Sequence, residues 1–223
     1  MEHDMDPERQ TRTFTKTTFT KAMQPVRIYN EVAALKLVRE KTNIPVPKVL
    51  ETGESAHGPF LTVERLDGIR LDDIHLWCCQ EPVDGRLPDG HQLKKCSACQ
   101  EMANQNASTF IRETPLPQLK ALRSNVSGLN GTVTPPPWVT EYDRRETWKS
   151  KTSKIDDAFG FCHEDLGSQN VLMDPGTLLV SGVVDLENAG FYPDEFADQW
   201  SLDVYYDLYS DEDSLSQLVS LLE

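Results

Sequence analysis

The residues that could do chemistry are concentrated in one segment, Phe161-Cys162-His163-Glu164-Asp165-Leu166-Gly167-Ser168-Gln169-Asn170-Val171-Leu172. It reads H-x-D-x-x-x-x-N followed by apolar residues. Fifteen residues beyond Asn170 comes Val183-Val184-Asp185-Leu186-Glu187. Phosphoryl transfer needs this combination: one carboxylate to orient the attacking hydroxyl and accept its proton, then an amide oxygen and a second carboxylate to hold the metal ions that neutralise the phosphates. On this reading Asp165 is the catalytic base, and Asn170 and Asp185 are metal ligands. Glu187 is a further acidic group near the metal, and His163 supports the loop. Any one of these carboxylates alone reads as a solvated charge, and His163 alone as a core histidine. The ordered set, flanked by apolar strands, is what carries the reading.

The flanking pattern supplies elements to position these groups. Val171-Leu172-Met173 and Val180-Ser181-Gly182-Val183-Val184 predict a hairpin joined through Asp174-Pro175-Gly176, which places Asp185 on the strand facing Asn170. Upstream, the Thr- and Phe-rich run Thr13 to Thr20 predicts a strand. Asn30 is placed to cap a helix from Glu31 to Lys41, with Val32, Leu35, Leu37 and Val38 on its buried side. That helix ends before Ile44-Pro45-Val46-Pro47. Lys48 to Glu51 and Phe60 to Glu64 read as strands around a turn at Gly53 to Gly58. Residues 78–97 read as an exposed insertion. A helix is expected over Ala98 to Glu113, with Ala103, Ala107, Phe110 and Ile111 on one face. Residues 123–154 read as a long loop, and Asp198 to Glu223 as an acidic helix.

Composition removes several classes of function. The chain has 223 residues, with 22 Lys+Arg against 36 Asp+Glu and a formal net charge of −14. Such a surface is ill suited to nucleic acid or to an anionic membrane. Hydrophobic residues make up 38%, enough for a core at this length. No apolar run reaches the roughly 18 residues of a membrane-spanning helix. The polar, mixed-charge stretch Met1 to Arg12 is unlike a signal or transit peptide and is expected to be disordered, so a cytoplasmic location is expected. The five cysteines are Cys78, Cys79, Cys96, Cys99 and Cys162, an odd number that argues against a disulfide framework. Cys96-Ser-Ala-Cys99 with Cys78-Cys79 could offer zinc four thiolates. The adjacent pair lacks a spacer to converge on one ion, so these cysteines are expected to be reduced thiols on the insertion, dispensable for folding.

His163 to Leu172 together with Val183 to Ala189 resembles the aminoglycoside phosphotransferase family, whose loop reads H-G-D-L-x-x-x-N-[IV]-L and whose metal strand reads G-[IV]-[IV]-D-[WF]-E-x-A-G. Glu164 replaces the usual Gly here, and Leu186 the usual aromatic. Gly190 to Phe196 is similar to the fungal branch of the family. The stretches Tyr29 to Val38, Ile44 to Val49 and Phe60 to Gly68 are similar to its small-lobe helix, strands and hinge. The resemblance implies an α+β, protein-kinase-like two-lobed fold, with a truncated N-terminal lobe over residues 1–63 and a C-terminal lobe over 64–223. It implies ATP and Mg2+ as cofactors and the hydroxyl of a small molecule as acceptor. It further implies a Lys paired with a Glu over the phosphates, with Lys16 and Glu31 as the expected pair and Lys21 and Arg27 competing with Lys16. Glu64 lies in the implied adenine-binding hinge. The 15 residues before Lys16 contain no glycine, so no glycine-rich phosphate cover is expected there. A catalytically weak or inactive pseudokinase-like binding module is the competing reading. Glu195, Asp198, Asp203 and Asp207 could attract a cationic acceptor or simply form a solvated face.

Overall fold

In the computed structural model, residues 11–56, 58–80, 82–196 and 212–223 are described. The chain opens with a hairpin, β1 (Thr11–Phe14) and β2 (Thr18–Ala22), where the sequence predicts a single strand. The turn at Thr15 to Thr17 is held by side chains instead of glycine: Thr15 Oγ1 accepts the backbone N–H of Thr18 at 2.9 Å. Thr11 and Arg12, expected to be disordered, pair with Ala22 and Lys21 in this hairpin.

Helix α1 (Pro25–Lys41) starts earlier than expected, because Pro25 sits in its first turn, where a missing N–H costs nothing. Asn30 is therefore inside the helix and is not its cap. Strands β3 (Val49–Ser55) and β4 (Gly58–Glu64) complete an antiparallel sheet in the order β1-β2-β4-β3. Its register sets Lys21 opposite Leu61 and Thr20 opposite Thr62. On β4 the alternation of buried Leu61 and Val63 with half-buried Thr62 turns one face toward α1.

The rest of the chain is built from short strands and helices. Strand β5 (Ile69–Arg70) leads through a 3-10 turn (Leu71–Leu76) to the insertion, then to α2 (Ser97–Glu113) and α3 (Pro115–Ala121). Cys99, Ala103, Ala107 and Ile111 form the buried face of α2. The expected long loop contains β6 (Arg123–Ser124), β7 (Thr132–Val133), α4 (Pro137–Tyr142) and β8 (Trp148–Lys149). Strands β9 (Phe159–Cys162), β10 (Val171–Met173), β11 (Val180–Val183) and β12 (Gly190–Tyr192) follow, with α5 (Glu212–Leu222) last. The predicted hairpin is present as β10 and β11, in a sheet of order β11-β10-β5, and β12-β9-β6 forms another.

Two apolar clusters support this frame. The larger joins Ile28, Leu35 and Val38 of α1 to Leu61, Leu71, Ala107, Ile111, Val171, Met173 and Val183, so it links the first sheet to the β11-β10-β5 sheet. The smaller joins Trp138, Val139 and Trp148 to Tyr192, Phe196, Leu215, Val219 and Leu222. Among the described residues no helix is long and apolar enough to cross a membrane.

Candidate active site

The site lies where the first sheet meets the β9–β11 segment. Two turns of sharply bent backbone shape it. Glu164 and Asp185 both adopt left-handed conformations, at φ +64° and +65°, a region costly for residues that carry a Cβ. Glycine enters this region without strain, which accounts for the Gly usual at position 164 in the similar loops.

Asp165 is fixed by its own loop. Asn170 Nδ2 donates to Asp165 Oδ2 and to its backbone carbonyl, each at 2.8 Å. Gln169 Nε2 donates to Asp165 Oδ1 at 3.2 Å. With its nitrogen committed in this way, Asn170 has its carbonyl oxygen as the group able to serve a cation. His163 is almost fully buried and links the loop to the neighbouring strand: its Nδ1 accepts the Asp165 N–H at 3.3 Å, and its Nε2 lies 3.2 Å from the Val184 carbonyl. These contacts fix the tautomer with the proton on Nε2. Leu186, where the similar sequences carry an aromatic, is buried in the larger cluster.

The partner of Glu31 corrects the sequence reading. Lys16 lies exposed in the β1–β2 turn. Lys21, one strand residue from the end of β2, is 4% exposed, and its Nζ is 2.7 Å from Glu31 Oε2. The same ammonium is 2.6 Å from Asp185 Oδ1 and 3.0 Å from Glu187 Oε2. Arg27 Nη1 reaches Glu187 Oε1 at 2.9 Å. Asn30 Nδ2 donates to the carbonyls of Glu187 and Ala189 at 2.9 and 2.8 Å, so α1 clamps the backbone that presents Glu187. Asn188 Nδ2 donates to the Pro135 carbonyl, and the Tyr192 hydroxyl donates to the Asn188 carbonyl at 2.7 Å.

Electrostatics follow from this enclosure. Burial favours a neutral Lys21, but Glu31, Asp185 and Glu187 outweigh it and hold the ammonium above its ordinary value. Burial pushes the Glu31 carboxyl up to about 7, against the pull of Lys21. Burial acts in the same sense on Asp185, where Lys21 reverses it and leaves that carboxyl below its ordinary value. One ammonium thus serves three carboxylates whose oxygens all lie within 4.8 Å of one another. This hard-oxygen donor set suits Mg2+ and not a soft metal.

Glu64 ends β4 with its side chain exposed, and its N–H is already given to the Lys48 carbonyl at 2.8 Å. Glu195 is exposed beside β12, while Asp198, Asp203 and Asp207 lie outside the described residues. Sequence reasoning missed the structural parts of Asn30 and Gln169 and ranked Lys21 behind Lys16. The signal for Lys21 was the Phe19–Lys21 alternation, which continues past Thr20 on the inward side of the strand.

The family model described as APH, phosphotransferase enzyme family, matches residues 9–193. Among curated proteins there is no match. Among solved structures the chain is similar to a GDP complex of a mutant aminoglycoside 2'-phosphotransferase-IIIa, at 13% identity and TM-score 0.46, covering 98% of this chain and 82% of that one. It is similar to a thermostable mutant of aminoglycoside phosphotransferase APH(4)-Ia in ternary complex with AMP-PNP and hygromycin B, at 14% identity and TM-score 0.43, covering 82% and 68%. A third is aminoglycoside phosphotransferase APH(3'')-Id from Streptomyces rimosus, at 15% identity and TM-score 0.34, covering 96% and 85%. The family match spans most of the chain and includes both the β2–α1 pair and the His163–Glu187 segment, so this α+β, protein-kinase-like protein belongs to the phosphotransferase enzyme family.

Proposed function

We propose that the protein is an ATP- and Mg2+-dependent phosphotransferase acting on a hydroxyl of a small molecule. The observation that carries this reading is the convergence of Lys21 and Glu31 from the first sheet and helix on Asp185 and Glu187, more than 150 residues later in the chain. Asp165 accepts the proton of the acceptor hydroxyl, with Asn170 and Gln169 aiming its carboxylate. Lys21 contributes positive charge to the phosphates, and Glu31 holds it in position. Asp185 and Asn170, with Glu187 beside them, supply oxygens to Mg2+, which when bound neutralises the phosphate charge. Residues 1–63 form the nucleotide side, with the backbone near Glu64 as hinge, and residues 64–223 carry the loop and metal groups. Glu195 is one exposed acidic group available to a cationic acceptor.

The test is transfer from γ-labelled ATP to a panel of hydroxylated acceptors, with Asp165→Asn as control. Transfer above the control supports the reading, and equal background in both overturns it. One observation favours a second reading, a weak or inactive nucleotide-binding module: the 15 residues before Lys16 contain no glycine that would let backbone N–H groups close on phosphate. ATP-dependent thermal stabilisation without transfer would select it.

A further inference from the structure

A second cluster of ligating side chains lies outside the site described above, at the foot of α2. Cys78, His91, Cys96 and Cys99 place one ligand atom each within 4.8 Å of one another. His91 Nδ1 is 3.5 Å from Cys96 Sγ, 3.5 Å from Cys99 Sγ and 3.6 Å from Cys78 Sγ. Cys99 Sγ is 3.9 Å from Cys78 Sγ. A single ring nitrogen has one lone pair or one proton, so hydrogen bonding satisfies one of those sulfurs and not all three. A tetrahedral zinc ion, with bonds of about 2.3 Å to sulfur and about 2.05 Å to nitrogen, requires edges of about 3.8 Å between sulfurs and about 3.6 Å between sulfur and nitrogen. The three sulfur–nitrogen edges and the Cys78–Cys99 edge match this figure, and the other two sulfur pairs lie within 4.8 Å.

We propose that these four residues bind a structural zinc ion that fastens the 78–97 insertion to the core. His91 supplies the fourth ligand, which removes the objection that Cys78 and Cys79 cannot converge on one ion. Cys79 is not part of the tetrahedron. Its backbone N–H lies 3.4 Å from Cys99 Sγ, the outer contact that a metal-bound thiolate receives. Cys96 and Cys99 are fully buried at the start of α2, which corrects the expectation that they lie on an exposed insertion.

The insertion itself needs such a fastening. Val83 and Leu93 are 74% and 68% exposed, and one isolated bridge, Val83 to Arg86, orders its middle. It therefore buries too little apolar surface to hold itself against the chain entropy of ordering it. Its ends are tied to the preceding turn by the backbone, with the Trp77 N–H on the Ile74 carbonyl at 3.0 Å and the Cys96 N–H on the His75 carbonyl at 2.8 Å. Four protein ligands leave no open position for water, so the ion is structural and takes no part in phosphoryl transfer.

The test uses the full chain purified without chelator, supplied with zinc, desalted and analysed for metal content. One zinc per chain is expected, retained in Cys79→Ser and lost in Cys78→Ser and His91→Ala. Cobalt exchanged into the wild type should give the absorption of a tetrahedral thiolate-bound ion, a readout that does not depend on any variant folding. Chelation should lower the melting temperature by about 5–10 °C, with recovery on adding zinc. Substoichiometric zinc, an octahedral cobalt spectrum, equal zinc loss in Cys79→Ser, or a Cys79–Cys99 disulfide in a peptide map would each overturn the assignment.

Discussion

Lys21 Nζ stands 2.6 Å from Asp185 Oδ1, although 164 residues separate the two in the chain. The pair is the electrostatic joint between the first sheet and the β10–β11 hairpin. Removing the ammonium leaves Glu31 and Asp185 without a cation and Glu187 with Arg27 alone, at 2.9 Å.

Lys21→Ala is therefore expected to cost on the order of 3 kcal/mol in the absence of divalent metal, the penalty for uncompensated buried charge. Lys16→Ala, in an exposed turn, is expected to stay within about 0.5 kcal/mol of wild type. Urea denaturation of both variants tests this, and similar losses would refute the reassignment from Lys16 to Lys21. Magnesium should stabilise Lys21→Ala more than it does wild type, because the freed carboxylates gain a cation.

Asp165 and Asp185 should separate in their effects on nucleotide. Asp185→Ala is expected to weaken Mg–ATP binding by tenfold or more, about 1.4 kcal/mol. Asp165→Asn should leave it within about threefold while abolishing transfer. Isothermal titration with and without magnesium measures both, and equal weakening in the two variants would show that the roles are wrongly divided.

The protonation of Glu31 sets a pH dependence in metal-free protein. Its carboxyl is raised to about 7 in the folded state, against an ordinary value near 4.3 unfolded. Between these values the folded state binds the extra proton, so stability is highest at the acid end and falls as pH rises through the window. Asp185 is shifted downward, and its stabilising contribution is complete above its unfolded value. Lys21 is shifted upward, and its contribution is lost only at strongly alkaline pH. The net fall from about pH 5 to pH 7 is expected to be on the order of 2 kcal/mol and to flatten in Glu31→Gln. Melting temperatures across that range, in chelated buffer, decide it.

Asn30→Ala should act on the site at a distance from the reacting atoms. It strips the donor from the Glu187 and Ala189 carbonyls and is expected to cost about 2 kcal/mol. Its effect on transfer should appear as weaker magnesium dependence, since the displaced group is Glu187. A full loss of stability with an unchanged magnesium titration would limit Asn30 to packing.

Much of this arrangement could be read before the fold was known. The run Ala98 to Glu113 announced α2 to within one residue, because its apolar residues keep one helical face and turn formers flank it. Asp165, Asn170 and Asp185 stand in an order that a loop and a hairpin bring together. Lys21 stood behind Lys16 because the β1–β2 turn is built from Thr15 hydroxyl bonds, and no Gly, Pro or Asn marks it in the sequence. The run Thr13 to Thr20 therefore read as one strand ending short of the lysine. Asn30 resembled a cap because it is a capping residue type just ahead of the apolar run, whereas the helix begins at Pro25, in its first turn. His91 carried no local signal at all. Cys78 and Cys96 lie at opposite ends of an irregular loop, and only the path of that loop sets the imidazole against the sulfurs.

The charge arrangement around Lys21 also governs cooperativity. The sheet β1-β2-β4-β3 has the register and apolar face to form early from contacts close in sequence. Completed alone, it would enclose Lys21 and Glu31 without the carboxylates that arrive with Asp185 and Glu187. The helix α1 would likewise carry a buried Asn30 amide with no carbonyl to receive it. Each half thus presents buried polar groups that only the other half satisfies. The β1-β2-β4-β3 sheet and the β11-β10-β5 sheet should therefore melt in a single transition, with no populated state in which one is native and the other unfolded.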